Sequence, residues 1–166
     1  MPAPVSFEAF VAARYGALLR AAFVLTGDRG LAEDLLQSAF MRAYPAWSRG
    51  EPDNPEAYTR TIMVRLAVRG RRRLWRAEIP AATVPEALAV DPTVQVDQAD
   101  ALRQALSGLS VEHRAVLVLR FLSGLSEAET AAVLRCSTGT VKSRCSRALI
   151  ALRTGGLLNG MEVLHD

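Results

Sequence analysis

The stretch CSTGTVKSRCSRALIAL, residues 136–152, decides the fold of the C-terminal half of this 166-residue chain. Ser137 stands where its hydroxyl can cap a helix that runs from Thr138 to about Arg153. One stripe of that helix is apolar or small and faces a core: Val141, Cys145, Ala148 and Leu152. The opposite face carries short hydroxyls and cations and no carboxylate: Thr140, Lys142, Ser143, Arg144 and Arg147. The Cys145 thiol is therefore predicted to serve packing rather than chemistry.

A shorter helix, 127–134, precedes this one by about three residues. Two short helices, a tight turn and a polar, basic second helix describe a helix-turn-helix. A DNA major groove about 12 Å wide admits one helix, whose first residues meet base edges while its cations hold phosphates. Arg144 is suited to bidentate pairing with guanine. Such helix pairs also occur as packing units, so the residues alone leave DNA binding and packing both open.

The turn between the two helices departs from the usual pattern. Its position 135 normally holds glycine in the left-handed conformation, and here it is Arg135. An arginine there costs roughly 1 kcal/mol, which packing can absorb. The helix-turn-helix prediction therefore stands.

The rest of the chain is also helical in pattern. Apolar spacing predicts helices over 6–25, 31–47 and 55–76, separated by TGDRG and SRGEPDNP. Pro45 is expected to end or bend the second helix. Asn54 before Pro55 is expected to cap the third.

Residues 77–98 contain three prolines, no Lys or Arg and no clear period, which predicts a linker. The sequence thus predicts an all-α fold of two small helical domains joined by a flexible linker. The predicted limits are 1–76 for the first domain, 99–154 for the helix-turn-helix domain and 155–166 for a frayed tail.

Cations cluster in two segments although the net charge is only +3. Residues 59–76 hold seven arginines and no acid, and 137–153 hold four cations and no acid. In the first segment Arg65, Arg69, Arg72 and Arg76 form one stripe, while Ile62, Met63 and Leu66 point toward a core. These two basic segments predict that the chain contacts a polyanion through two parts of its surface, and that this binding depends strongly on salt concentration. Solvated helix faces are the alternative.

Enzyme chemistry has no support in the sequence, which offers no nucleophile–base pair, paired-carboxylate site or phosphate-binding glycine loop. Cys136 and Cys145 lack zinc-site spacing, and His113 and His165 are isolated, so no metal or cofactor is expected. No run approaches the roughly 18–20 apolar residues of a membrane span, and no export signal is visible. A cytoplasmic protein without a membrane partner is expected.

Two stretches resemble bacterial sigma factors of the extracytoplasmic function (ECF) group. LSVEHRAVLVLRFLSGLSEAETAAVLRCSTGTVKSRCSRAL, 109–149, resembles region 4 of that family, and AEDLLQSAFMRAY, 32–44, resembles region 2. The resemblance implies a non-catalytic RNA polymerase subunit that recognises a −10 and a −35 promoter element and helps open the DNA. It also implies core polymerase, promoter DNA and an anti-sigma factor as partners, with the free chain monomeric.

The resemblance also implies roles for particular positions. The positions that match the family's docking site for the clamp helices of the polymerase largest subunit are Glu33, Asp34, Gln37 and Phe40. The positions that match its −10 contacts are Arg65, Arg69, Arg72, Arg73 and Arg76. The positions that match its −35 contacts are Thr140, Lys142, Ser143, Arg144 and Arg147. The same domain is expected on the polymerase β flap. Many relatives carry asparagine where this chain has Arg65, so the −10 preference and promoter melting are expected to differ.

The residues themselves partly agree with the docking role. Asp34 and Gln37 lie one turn apart and share a face that can meet a basic helix. The alternative is a solvated acidic pair near a helix N-terminus, and the residues alone favour that interpretation of Glu33 and Asp34. Two other functions stay open: a stand-alone helix-turn-helix regulator, and a degenerate sigma-like interaction module that does not melt DNA.

Overall fold

The computed structural model describes residues 5–50, 52–77 and 96–155, and the side chains of 71–77 and 96–99 lie outside that description. Its α-helices are α1 (Phe7–Thr26), α2 (Arg29–Ser48), α3 (Pro55–Ala77), α4 (Val96–Ser107), α5 (Val111–Leu117), α6 (Glu127–Leu134) and α7 (Thr138–Thr154). A π-helical turn, Val118–Leu122, continues α5. The predicted all-α fold is confirmed. Most of the predicted linker lies outside the described residues, but its edges at 77 and 96–98 are helical.

The connection between α1 and α2 is a tight, glycine-dependent turn. Gly27 ends α1 in the left-handed conformation, with φ 70°, and donates its N–H to the Phe23 carbonyl. Asp28 then caps α2, its Oδ1 accepting the Leu31 N–H at 2.8 Å. A Cβ at Gly27 would lie 3.0 Å from Nη1 of Arg114 in α5. Position 27 therefore favours glycine for its backbone angle, and a larger residue there would also displace the end of the Arg114 side chain.

Proline and asparagine shape the ends of α2 and α3. The α2 helix passes through Pro45 and continues to Ser48, whose hydroxyl donates to the Pro45 carbonyl at 2.8 Å. Pro45 therefore does not end the helix. Asn54 caps α3 as predicted, with its Oδ1 accepting the Ala57 N–H at 3.0 Å and Pro55 as the first helical residue.

The two halves of the chain share one hydrophobic core. Leu18, Leu36 and Met63 from the first three helices cluster with Val118 and Leu119 of the π-helical turn. Two smaller clusters lie within the C-terminal half, one around Leu106, Leu109, Leu117 and Ala148, the other around Val116, Ala131 and Val141. The sequence analysis treated the halves as tethered bodies, and the structure adds a packed contact between them.

The α1 helix is long and apolar enough to span a membrane by length and composition. The same description fits a core helix, and α1 places Phe10, Leu18 and Leu25 in the shared core. Because Glu8, Arg14 and Arg20 interrupt its apolar residues, the sequence showed no continuous apolar run there.

Candidate nucleic-acid interface

The helix-turn-helix consists of α6 and α7 with three residues between them. Arg135 occupies the turn with φ 53° and ψ 49°, the left-handed conformation expected for this position. Its backbone N–H bonds to the Ala131 carbonyl, which closes the end of α6. The turn thus adopts the usual geometry without the usual glycine.

Both helices of the motif are capped by serine. The Ser137 hydroxyl accepts the Thr140 N–H at 3.1 Å, as predicted. At the start of α6, Ser126 and Glu129 form a reciprocal capping box. The hydrogen bond from the Ser126 backbone N–H, then that from its hydroxyl, lowers the pKa of Glu129. The Ser-x-x-Glu spacing could have revealed this box in the sequence.

The predicted −35 face of α7 is open to solvent. Lys142, Ser143 and Arg147 are exposed, while Thr140 and Arg144 are half-buried. The Lys142 ammonium lies 3.7 Å from the Glu127 carboxylate on α6, so it is partly paired. On the other side of α7, Val141 and Ala148 are buried and Cys145 is half-buried, as the stripe predicted. Burial raises the pKa of the Cys145 thiol.

A groove of about 540 Å³ runs between the first residues of α7 and those of α5. Its lining includes Ser110, His113, Ser137, Thr140, Arg144 and Arg147. The α5 side of this groove could not be predicted, because nothing in the sequence places residues 110–113 beside a helix some thirty residues later. In the sequence, His113 is an isolated histidine.

His113 has a defined environment in this groove. Its Nδ1 lies 2.5 Å from the Ser110 hydroxyl, which also caps α5. Burial lowers the pKa of His113, and the charges of Arg144 and Arg147 lower it further, opposed by Glu112. The ring therefore lies in an environment that disfavours its protonation in the free protein, next to two fixed cations.

The basic stripe of α3 begins with exposed side chains at Arg65 and Arg69. The backbone of 72, 73 and 76 continues the same helix, and the side chains of Arg72, Arg73 and Arg76 lie outside the described residues. Met63 is fully buried, and Ile62 and Leu66 pack against the core, as predicted.

Arg60 belongs to the same basic segment but serves a different role. Its side chain is 12% exposed and pairs with Glu56, which also lies 3.5 Å from the Arg14 guanidinium. Its Nη1 donates to the Leu122 carbonyl of the π-helical turn at 2.7 Å. Arg60 therefore joins the two halves of the chain and is not available as a phosphate contact in this arrangement.

The predicted docking residues on α2 separate into three groups. Asp34 and Gln37 are exposed, whereas Glu33 is half-buried and pairs with Arg29 at 3.1 Å. Phe40 differs from the other three: it is 6% exposed and its ring packs on Phe7 and Tyr15, so it lies in the core. The helical period explains this, since Phe40 is four residues after the fully buried Leu36.

Two exposed apolar residues lie on the solvent-facing side of α2, together with Asp34 and Gln37. Met41 is 77% exposed and Tyr44 is 56% exposed. Steps of three, four and three residues place Asp34, Gln37, Met41 and Tyr44 on one stripe of α2. We call these four the α2 docking stripe. The spacing of these four residues was present in the sequence.

Residues 10–77 of the chain match the family described as sigma-70 region 2, and residues 99–152 match sigma-70 region 4. The RNA polymerase sigma-E factor of Streptomyces coelicolor is 40% identical over 154 residues, which cover 90% of this chain and 85% of that protein. The chain belongs to the sigma-70 family. The resemblance found in the sequence is thereby confirmed, and with it the function of directing promoter recognition and transcription initiation.

Further relatives place this sigma factor in the ECF group. The ECF RNA polymerase sigma factor SigL of Mycobacterium tuberculosis is 33% identical over 145 residues, covering 82% of this chain and 80% of that one. The sigma factor RpoE of Bartonella quintana, solved with the anti-sigma factor NepR, superposes with a TM-score of 0.67 at 29% identity, covering 92% and 98% of the two chains. CnrH, solved with the cytosolic domain of CnrY, gives a TM-score of 0.55 at 28% identity over 89% and 85%.

Within the described parts of this sigma factor, no three His, Cys, Asp or Glu side chains gather as a metal site. Cys136 and Cys145 are both free thiols. The potential ligand-binding features that remain are the basic faces of α3 and α7, which suit polyanions rather than metal ions.

Proposed function

We propose that this sigma factor reads the −35 element by placing α7 in the major groove. The observation that supports this most directly is the open face of α7, where hydroxyls and cations project without a carboxylate from a capped helix. Arg144 is the candidate for bidentate pairing with guanine, and Thr140 and Ser143 are within the N-terminal turns that meet base edges. Lys142 and Arg147 supply phosphate contacts.

The −10 element is proposed to lie along the basic stripe of α3. Exposed Arg65 and Arg69 begin that stripe, and Arg72, Arg73 and Arg76 are proposed to extend it along the strand. Asparagine can bond to a base edge in both directions, whereas arginine only donates. Arg65 is therefore proposed to contact phosphate or guanine, giving this chain a −10 preference of its own.

Core polymerase is proposed to bind the α2 docking stripe through the clamp helices of its largest subunit. Asp34 and Gln37 offer charge and hydrogen bonds to a basic helix, while Met41 and Tyr44 offer exposed apolar area. Glu33 is proposed to act through its pair with Arg29, which holds the first turn of α2. The second domain is proposed to contact the β flap of the same enzyme.

The remaining assignments follow from this role. The chain is proposed to act in the cytoplasm, as a monomer when free, and as a polymerase subunit rather than a catalyst. Its domains are proposed to be residues 1–76 and 99–154, joined through 77–98. An anti-sigma factor is proposed as a partner, because two solved relatives above 25% identity are complexes with such regulators.

The test of this proposal is co-elution of the labelled chain with core RNA polymerase. A double variant, Asp34→Ala with Gln37→Ala, is expected to lose binding while keeping its helical circular dichroism. The matched control, Glu8→Ala with Arg20→Ala, removes two exposed charges from α1 and is expected to bind normally.

Three outcomes would contradict parts of the proposal. Normal binding by the Asp34/Gln37 variant would show that the docking surface lies elsewhere. DNA binding without polymerase binding would indicate a stand-alone regulator. Polymerase binding without promoter opening, measured by permanganate reactivity of unpaired thymines, would indicate an interaction module that does not initiate.

A further inference from the structure

We propose that Ser110 and His113 form, with Arg147, a phosphate clamp that binds the DNA backbone beside the −35 element more tightly when His113 is protonated, while Arg144 lines the same groove and keeps its contact with the base edges. The inference rests on the proposed placement of α7 and deepens it. It adds α5 to the DNA interface and makes −35 affinity depend on pH.

The four side chains line one open groove. Arg144 and Arg147 are one turn apart on α7, and Ser110 and His113 face them from the start of α5. A backbone phosphate that enters beside α7 would therefore meet donors from two elements. Since phosphate contacts fix register on the duplex, a clamp here would hold α7 in its groove without reading sequence.

The charged side chains near His113 lie on α5 and α7. On its own helix Glu112 lines the groove, and on α7 Arg144 and Arg147 do so. Arg114, also on α5, donates through Nε and Nη2 to the Leu106 carbonyl. Glu112 is the single acid among the groove-lining residues, so two fixed cations outweigh it.

Protonation would change the hydrogen bond between Ser110 and His113. In the neutral ring with its proton on Nε2, the Ser110 hydroxyl donates to Nδ1. In the charged ring, Nδ1–H donates to the Ser110 oxygen, and the hydroxyl proton is free to turn outward. One proton thus adds a positive charge to the groove and a second donor, the Ser110 hydroxyl, for a phosphate oxygen.

DNA binding reverses the direction in which the surroundings of His113 shift its pKa. In the free protein, burial and the two arginines lower the His113 pKa below its usual value. A phosphate placed between these groups attracts the proton and raises the pKa in the complex. DNA binding then takes up a proton, so affinity rises as pH falls through the bound-state pKa and levels off below the free-state pKa.

The experiment measures DNA affinity of the full chain by fluorescence anisotropy across pH. The probe is a duplex enriched from a randomised library by repeated selection on the wild-type chain. Affinity is expected to be about three- to tenfold higher near pH 5.5 than near pH 8, because the pKa of His113 is higher in the complex than in the free chain. The slope of log affinity against log salt should be steeper by about 0.9 at the lower pH.

Three variants separate the clamp from other causes. His113→Gln should bind with little pH dependence and with the shallower salt slope throughout. His113→Lys should keep the steeper slope at every pH, because its charge does not titrate in this range. His165→Gln, which removes the chain's other histidine, should behave as wild type.

The results distinguish this inference from the proposed function. If the wild type binds its selected duplex with the same affinity at every pH, the clamp is wrong while −35 binding stands. The same conclusion follows if His113→Gln keeps the full pH dependence. If selection enriches no duplex at all, the DNA-binding role of α7 fails, and the clamp fails with it.

Discussion

At position 135 the backbone adopts a conformation that disfavours any residue with a Cβ. A left-handed residue other than glycine costs about 1–2 kcal/mol, and Arg135 is the single non-glycine case among the described residues. Arg135→Gly removes that cost but makes the unfolded chain more flexible, so a net gain of up to about 1 kcal/mol in unfolding free energy is expected. Urea denaturation would measure it. Arg135→Ala keeps the Cβ and should give no gain, and a loss of stability in Arg135→Gly would show that the arginine side chain stabilises the turn.

Arg144 is the residue on which base recognition should depend most. Arg144→Ala is expected to weaken binding to a selected −35 duplex by about 1–3 kcal/mol and to relax discrimination at one base pair. Competition binding against duplexes changed at single positions would show both effects. Arg153→Ala, an exposed cation at the far end of the same helix, is the control and should change neither. Uniform weakening without loss of discrimination would make Arg144 a phosphate contact instead.

At the scale of the helix, α3 carries arginines of two kinds that the sequence does not distinguish. Arg65→Gln and Arg69→Gln should each reduce the salt slope of binding to promoter DNA by about 0.7–0.9, since each removes one phosphate contact. Arg60→Gln should leave that slope unchanged and lower stability instead, because Arg60 bonds to Glu56 and the Leu122 carbonyl. Salt titrations and urea denaturation on the same three variants would check both. A reduced slope in Arg60→Gln would mean that the arginine is released when DNA binds.

Most helices could be predicted from the sequence because their signals are local. The Ser137 and Asn54 caps, the turn at Arg135 and the buried face of α7 each depend on neighbours within one or two turns. The burial of Phe40 and of Arg60 could not be predicted in the same way. Whether an aromatic ring or a guanidinium is buried depends on which distant segment covers it, and for these two it is α1 and the π-helical turn.

The groove beside α7 could likewise be predicted only in part from local sequence signals. The cations of α7 were evident from residues 137–153, but their neighbours on α5 were not. His113 comes to lie beside Arg144 and Arg147 only through packing of α5 against α7, which no spacing in the sequence encodes. The basic face of α7 was therefore predictable, and the α5 residues that lie beside it were not.

At the scale of the whole molecule, the packed arrangement is too short to contact both promoter elements. Elements named −10 and −35 are separated by about 25 base pairs, or about 85 Å of duplex. A compact chain of 166 residues has a radius of gyration of only about 15 Å. The contact between the π-helical turn and α1–α3 must therefore open when the sigma factor binds polymerase and promoter DNA together.

Energy transfer between two dyes would detect this opening. Exposed Ala13 on α1 and Ala128 on α6 can be changed to cysteine for labelling, with Cys136 and Cys145 replaced by alanine. Transfer efficiency should be high in the free chain and should fall when core polymerase is added. The Asp34/Gln37 double variant should keep the high efficiency, because it does not dock. An unchanged efficiency in the polymerase-bound wild type would show that the halves stay packed.

The shared core also limits how promoter specificity can be exchanged between relatives. A hybrid joining the first half of this chain to the second half of another sigma factor would place foreign side chains against Leu18, Leu36 and Met63. If the residues of the foreign half at the positions of Val118 and Leu119 do not match this surface, the buried core contains voids or overlaps. Recombination within the linker would therefore preserve the stability of the packed free chain only when the donor also carries a matching surface on its π-helical turn.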